Sequence, residues 1–210
     1  MTLQGDRFAM EDAYFFDERK LIDLGHTIPF NNTDETFSPI LYDILQSSCS
    51  QVSNIMRILC EYFELDVDNN NFPSYYNALN IDHVLEMQAV DCAFKNNIVY
   101  TPFVLRNNEN VPFWWAKYND TKHDLPQGYV EGNLINTLNA MSASYALNCM
   151  MHYADRTPRP DNFLNKKSWI MRESLAMKRK EFVNTGIDDQ RPFSKNFYCW
   201  ASYLGEGGPI

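Results

Sequence analysis

The chain has 210 residues, 45% of them hydrophobic and 14% aromatic, with a formal net charge of −9. That is enough apolar material for one domain with a core of its own, and it excludes a disordered, collagen-like or disulfide-stapled chain. No run approaches the ~18 uninterrupted apolar residues of a membrane helix, and the opening MTLQGDRFAMED lacks the basic-then-apolar order of a signal peptide, so the expectation is a cytoplasmic protein with no membrane attachment.

An N-terminal helix is predicted from Arg7 to Leu24, with Phe8, Ala13, Phe15, Phe16 and Leu21 as its buried positions. From Phe37 onward, Ile40, Leu41, Ile44, Leu45, Val52, Ile55, Met56, Leu59 and Phe63 keep spacings of three and four, which predicts one amphipathic helix over about 37–64. Ser38-Pro39 supplies its cap and first-turn proline. Its other face carries Ser50, Asn54, Arg57 and Glu61, a polar ladder expected to face solvent and able to line a site. Asn69-Asn70-Asn71 reads as a loop, Ser74 to Leu79 as a short helix, His83 to Ala93 as a helix, and Asn96 to Leu105 as a strand or an extended connection.

Next comes a helix of about three turns, capped by Asn110, started by Pro112 and stopped by Pro126. A longer one is predicted from Tyr129 to Tyr153, where small residues Ala140, Ala143, Ser144 and Ala146 allow close approach of neighbours and suggest a central position. After Asp155 the composition changes. Residues 1–155 carry 8 Lys+Arg against 21 Asp+Glu, a balance of −13, whereas residues 156–195 carry 10 against 5, or +5, and Glu206 adds −1. Thr157-Pro158-Arg159-Pro160 reads as a linker, Lys167 to Val183 as a basic amphipathic helix, and Leu204 to Pro209 as a mobile end. Phe193, Phe197, Tyr198, Trp200 and Tyr203 form an aromatic cluster expected to strap across the domain or a partner. The sum is an all-α chain with a helical bundle over 1–155, the motif helix at about 112–124, and a basic C-terminal extension over 156–210 with one helix and an aromatic-rich end.

The five cysteines are odd in number and scattered, with no C-x-x-C pair, so they read as reduced core thiols. Cys49 and Cys60 would lie about 16 Å apart along a helix, too far to pair.

Chemistry concentrates between Val111 and Pro126. On a helix Asn119 and His123 are one turn apart, as are Tyr118 and Lys122, while Trp114, Trp115 and Tyr118 anchor it in the core. An imidazole moves protons near neutral pH, a lysine stabilises phosphate charge, and an asparagine orients the imidazole or a ligand hydroxyl. The candidate catalytic set is therefore His123, Asn119 and Lys122, with Lys117, Tyr118 and Arg57 as binding residues and no metal or cofactor. In the bland alternative, the same residues satisfy backbone groups and pair with carboxylates.

Trp114-Trp115-x-x-Tyr118-Asn119-x-x-Lys122-His123, followed by a long Leu-, Asn- and Ala-rich helix, resembles a bacterial and phage group carrying W-W-x-x-Y-N-x-x-K-H, which is similar to the HEPN superfamily. The resemblance covers about residues 37 to 155. It implies a helical bundle, a homodimer, and in many members a metal-independent ribonuclease of toxin-antitoxin, abortive-infection or CRISPR systems. His123 would act as base or acid on the RNA 2′-hydroxyl, Lys122 or Lys117 would stabilise charge, and two protomers would build the site. The chain departs from the pattern at Tyr118, where the family places an arginine. The function expected is that of a HEPN-like, nucleic-acid-associated protein, extending to RNA cleavage, with RNA or nucleotide as ligand and a protein partner on the basic extension. The alternative is a catalytically inert helical interaction and dimerisation module.

His123-Asp124 also spells the doublet of metal-dependent HD phosphohydrolases, with His83 and Asp155 as the further ligands such an enzyme needs. His26 and His152 lack zinc-site partners in sequence, and no dinucleotide, P-loop or hydrolase-elbow motif occurs.

Overall fold

The computed structural model describes residues 3–30, 34–80, 83–92, 98–106, 109–123, 128–156 and 197–201. Among them helices dominate, and no helix is long and apolar enough to cross a membrane. In chain order the elements are α1 (Leu3–Gly25), α2 (Pro39–Tyr62), α3 (Phe72–Leu79), β1 (Gln88–Cys92), β2 (Ile98–Tyr100), α4 (Phe113–His123), a 3-10 turn (Tyr129–Glu131), α5 (Leu134–Arg156) and β3 (Phe197–Ala201).

Local chemistry sets α2. Ser38 is extended, its Oγ accepts the Leu41 amide at 3.1 Å, and Pro39 fills the first turn, where a missing N–H costs nothing. Leu41, Ile44, Leu45, Val52, Ile55, Met56 and Leu59 are fully buried, each contributing roughly 1.5–3 kcal/mol of transfer free energy. Ser50, Asn54, Arg57 and Glu61 face solvent, as the polar ladder predicts. The helix stops where Glu64 turns left-handed (φ 52), with Leu65 N donating to Cys60 O at 2.9 Å and Glu64 N to Glu61 O at 3.2 Å. That pair of bonds is the Schellman stop, built here without glycine. In α3, Asn71 Oδ1 accepts the Ser74 amide at 3.0 Å, with Pro73 in the first turn.

Helix α5 is central, as its small residues suggest. Every residue from Asn136 to Met151 is buried, with α2, α1, α4 and strands β1 and β3 packed around it. A helix covered on all sides needs its polar residues bonded internally. Asn139 and Asn148 donate to carbonyls one turn back (2.8 and 3.0 Å), Thr137 donates to Leu41 O (3.1 Å), and Ser144 to Gln51 Oε1 (2.9 Å).

Two expectations fail. In α1, Phe8, Phe15 and Phe16 are 50%, 36% and 64% exposed, while Leu3, Arg7, Tyr14, Asp17, Glu18, Leu21 and Leu24 face inward. Polar partners explain the reversal: Gln51 donates to Asp17 at 2.7 Å, and Arg7 reaches Glu11 and His152. The stretch predicted as a helix from His83 is not one over its described residues, His83 to Cys92. Asn80 Oδ1 accepts the Leu85 and Glu86 amides (3.0 and 3.4 Å), and His83 sits at φ 62, so the chain makes a turn and then enters β1. β1 is the middle strand of an antiparallel sheet ordered β2-β1-β3, with Val90 opposite both Tyr100 and Cys199. The Ile98–Tyr100 strand agrees with the extended reading of 96–105.

Cys49, Cys60, Cys92 and Cys149 are buried and form no disulfide. Burial pushes the Cys49 thiol well up and the Cys60 thiol up to about 12. The 157–160 linker, the Lys167–Val183 helix with Lys178-Arg179-Lys180, and the Leu204–Pro209 end lie outside the described residues, as do Phe193 and Tyr203.

Candidate functional site

Helix α4 is fixed by aromatic packing. Trp114 is fully buried and donates through Nε1 to Pro102 O at 2.6 Å. Phe72 stacks on Trp115 with centroids 3.9 Å apart, and Trp115 leans on Tyr118 at 5.1 Å. One turn on, buried Thr121 donates to Tyr118 O (2.6 Å) and accepts from Gln46 of α2 (2.5 Å). Behind it, Gly128 presses so closely that a Cβ there would stand 2.5 Å from Thr121 Cα. The helix is therefore held to α3, to α2 and to the chain that follows it.

The outer edge of α4 is polar. Asn119 is half-buried and Lys122 exposed. Tyr118, where the resemblance puts an arginine, is only 8% exposed. Lys122 Nζ lies 3.9 Å from the centroid of its ring and 5.8 Å from that of Trp115, which is cation–π distance. Lys117 faces another way, toward Glu131 at 2.9 Å and Asp120 at 3.8 Å. Its hydrogen bond to Glu131 raises its pKa against the lowering effect of partial burial. Arg57 lies on the outer face of α2, paired with Glu61 at 2.6 Å. His123 is the last residue of α4, one turn beyond Asn119 along a continuous helix; its side chain and Asp124 lie outside the described residues. His83 stands exposed, 3.2 Å from Glu86. Among the described residues no three His, Cys, Asp and Glu side chains gather into a metal-binding group.

Sequence reasoning missed a second polar cluster. Arg7 Nη1 lies 2.9 Å from Glu11 Oε1 and 2.7 Å from His152 Nδ1, and that ring nitrogen is 3.3 Å from Glu11 Oε1. That ring nitrogen faces both the guanidinium, which only donates, and the Glu11 carboxylate, which accepts, so its own role follows the tautomer of the ring. The cluster ties the first turns of α1 to the last turns of α5. No local pattern could reveal it, because Arg7 and His152 are 145 residues apart.

No family model, curated protein or solved structure matches the chain.

Proposed function

We propose that the chain is a HEPN-like protein that engages RNA along the outer edge of α4 and cleaves it without a metal. His123 is the proton-transfer group on the 2′-hydroxyl, Asn119 orients it or the substrate, and Lys122 supplies the cation. The observation that carries the reading is the place of Lys122. Its ammonium lies over the ring of Tyr118, so a permanent charge stands beside the position where the family's arginine would begin. A lysine there offers a point charge rather than a two-pronged donor, suited to stabilising a phosphorane-like oxygen though not to bidentate grip. Lys117 is a poorer candidate because Glu131 already holds it.

The test is incubation of the purified chain with end-labelled RNA in EDTA. Cleavage is expected, reduced at least ~100-fold in His123→Ala and Lys122→Ala and within a few-fold of wild type in Lys117→Ala, with far-UV circular dichroism unchanged in all three. A folded wild-type chain that neither binds nor cuts RNA overturns the proposal. That result favours the second reading, an inert helical interaction module, which draws support from the −13 balance of residues 1–155 and from the engagement of Lys117 by carboxylates.

A further inference from the structure

We infer that the face built by Phe37, Ile40, Tyr129 and Val130 is a docking site for a cationic amphipathic helix of another protein. The inference does not rest on the chemistry at α4. Phe37, Ile40 and Val130 are 51%, 43% and 47% exposed. The Phe37 ring meets the Tyr129 ring edge-on at 6.4 Å, and Tyr129 stacks on Tyr42 at 5.2 Å. Three stretches of chain thus carry one apolar surface: the lead-in to α2, the first turn of α2 and the 3-10 turn before α5. Backbone contacts lace them together, since Phe37 bridges Asn133, Leu134 N donates to Thr36 O at 2.9 Å and Ser38 N donates to Gly132 O at 3.4 Å. A Cβ on Gly132 would stand 2.6 Å from Tyr42 Cα, so glycine is what lets the turn lie this close to α2. A platform fixed before its partner arrives loses little entropy on binding, and an apolar patch with a polar rim marks an interaction surface.

Charge decides the occupant. Glu35 stands two residues before Phe37, Asp43 one turn beyond Ile40 and Glu131 next to Val130. With Asp34 and Asp120 they make five carboxylates against two ammoniums, Lys20 on Asp43 at 2.5 Å and Lys117 on Glu131 at 2.9 Å, a balance of −3 among the described residues of the rim. Nucleic acid and anionic lipid meet repulsion there. A second copy fares no better, because an isologous interface sets the same acidic rim against itself. A helix with a Lys- or Arg-rich face matches both parts of the surface. Its apolar residues, spaced by three and four, cover Phe37, Ile40 and Val130, and its cations reach the rim.

Fluorescence anisotropy of a labelled synthetic helix of about 18 residues, with leucine along one stripe and lysine elsewhere, reads binding by the full chain. A dissociation constant of roughly 1–50 µM is expected. Phe37→Ser and Val130→Ser should each raise it at least ~10-fold, and Glu35→Lys at least ~5-fold. Circular dichroism should stay native in all three, since each side chain is exposed. The same peptide with glutamate in place of lysine should not bind. A full chain that leaves the lysine peptide unbound overturns the inference, whether the face is bare or already filled by a second copy or by the chain's own basic stretch, residues 156–195. So does binding that Glu35→Lys weakens but Phe37→Ser and Val130→Ser leave untouched, which would be attraction to the acidic surface at large.

Discussion

Asp17 has no exposed surface although it carries a carboxyl, and burial raises its pKa above the ordinary 3.8 against the lowering pull of Ser47, Lys20 and Gln51. A raised folded-state pKa means that Asp17's contribution to stability is fully present below pH ~4 and is lost as pH rises through the folded value. Asp17→Asn keeps an oxygen for the Gln51 amide and removes the charge. The variant is expected to be more stable than wild type at pH 7 by about 1 kcal/mol, with the gap closing as pH falls toward 4. Urea unfolding of both chains across that range checks it, and a variant less stable at pH 7 would show that the Lys20 and Gln51 contacts outweigh burial. The same residue explains why apolar spacing turns the wrong face of α1 inward. Arg7 and Asp17 lie inside because α5 and α2 supply partners for them, and a pattern that scores only apolar spacing assigns Phe8, Phe15 and Phe16 to the core instead.

At the level of single elements, legibility followed the range of the forces. The Ser38-Pro39 start and three-four stripe of α2 are local, and the helix lies within two residues of the expected ends. The α4 motif was equally legible, since Trp114, Trp115 and Tyr118 are all buried as anchors should be. Strand β1 was not. Its run Gln-Ala-Val-Asp-Cys suits a helix as well as a strand, and it is extended because β2 and β3 pair with it. The Lys122 contact with Tyr118 follows from the one-turn spacing, whereas the engagement of Lys117 by Glu131 depended on a turn that spacing does not place. The stop of α2 offers a direct test. Glu64 holds a left-handed φ of 52 that costs a side-chain-bearing residue about 1 kcal/mol, and it puts an acid at the negative end of a helix. Glu64→Gly is expected to raise stability by ~0.5–1 kcal/mol. Thermal and urea unfolding measure it, and a destabilised variant would mean that the carboxylate makes a stronger contact than the strain it carries.

Across the whole molecule, charge is divided between an acidic stretch and a basic one, and residues 1–155 hold the −13 side. RNA bound along α4 would meet that field, so salt is expected to act in both directions: it weakens the Lys122 contact and screens the repulsion. The helical core needs no such balance, being a fully covered α5 inside α1, α2, α4 and a sheet. Among the described residues it is the sheet that draws on sequence beyond residue 156, because β1 at residues 88–92 takes one neighbour from residues 197–201. A chain shortened to end at residue 156 should keep its helices by far-UV circular dichroism. Amide exchange in β1 should rise on the side that β3 covers, since those amides and carbonyls lose their partners. Unchanged protection there would show that β3 contributes nothing to the strand.

The pairing of β3 with β1 also sets a schedule. On the ribosome, α2, α4 and α5 can meet as soon as the first 156 residues have emerged, but β1, which ends at Cys92, has both its edges occupied only once Phe197–Ala201, more than a hundred residues behind it, have been made. During that interval it presents an unpaired edge beside exposed β2 residues Ile98 and Val99, the one short window in which the nascent chain is open to pairing with the wrong strand.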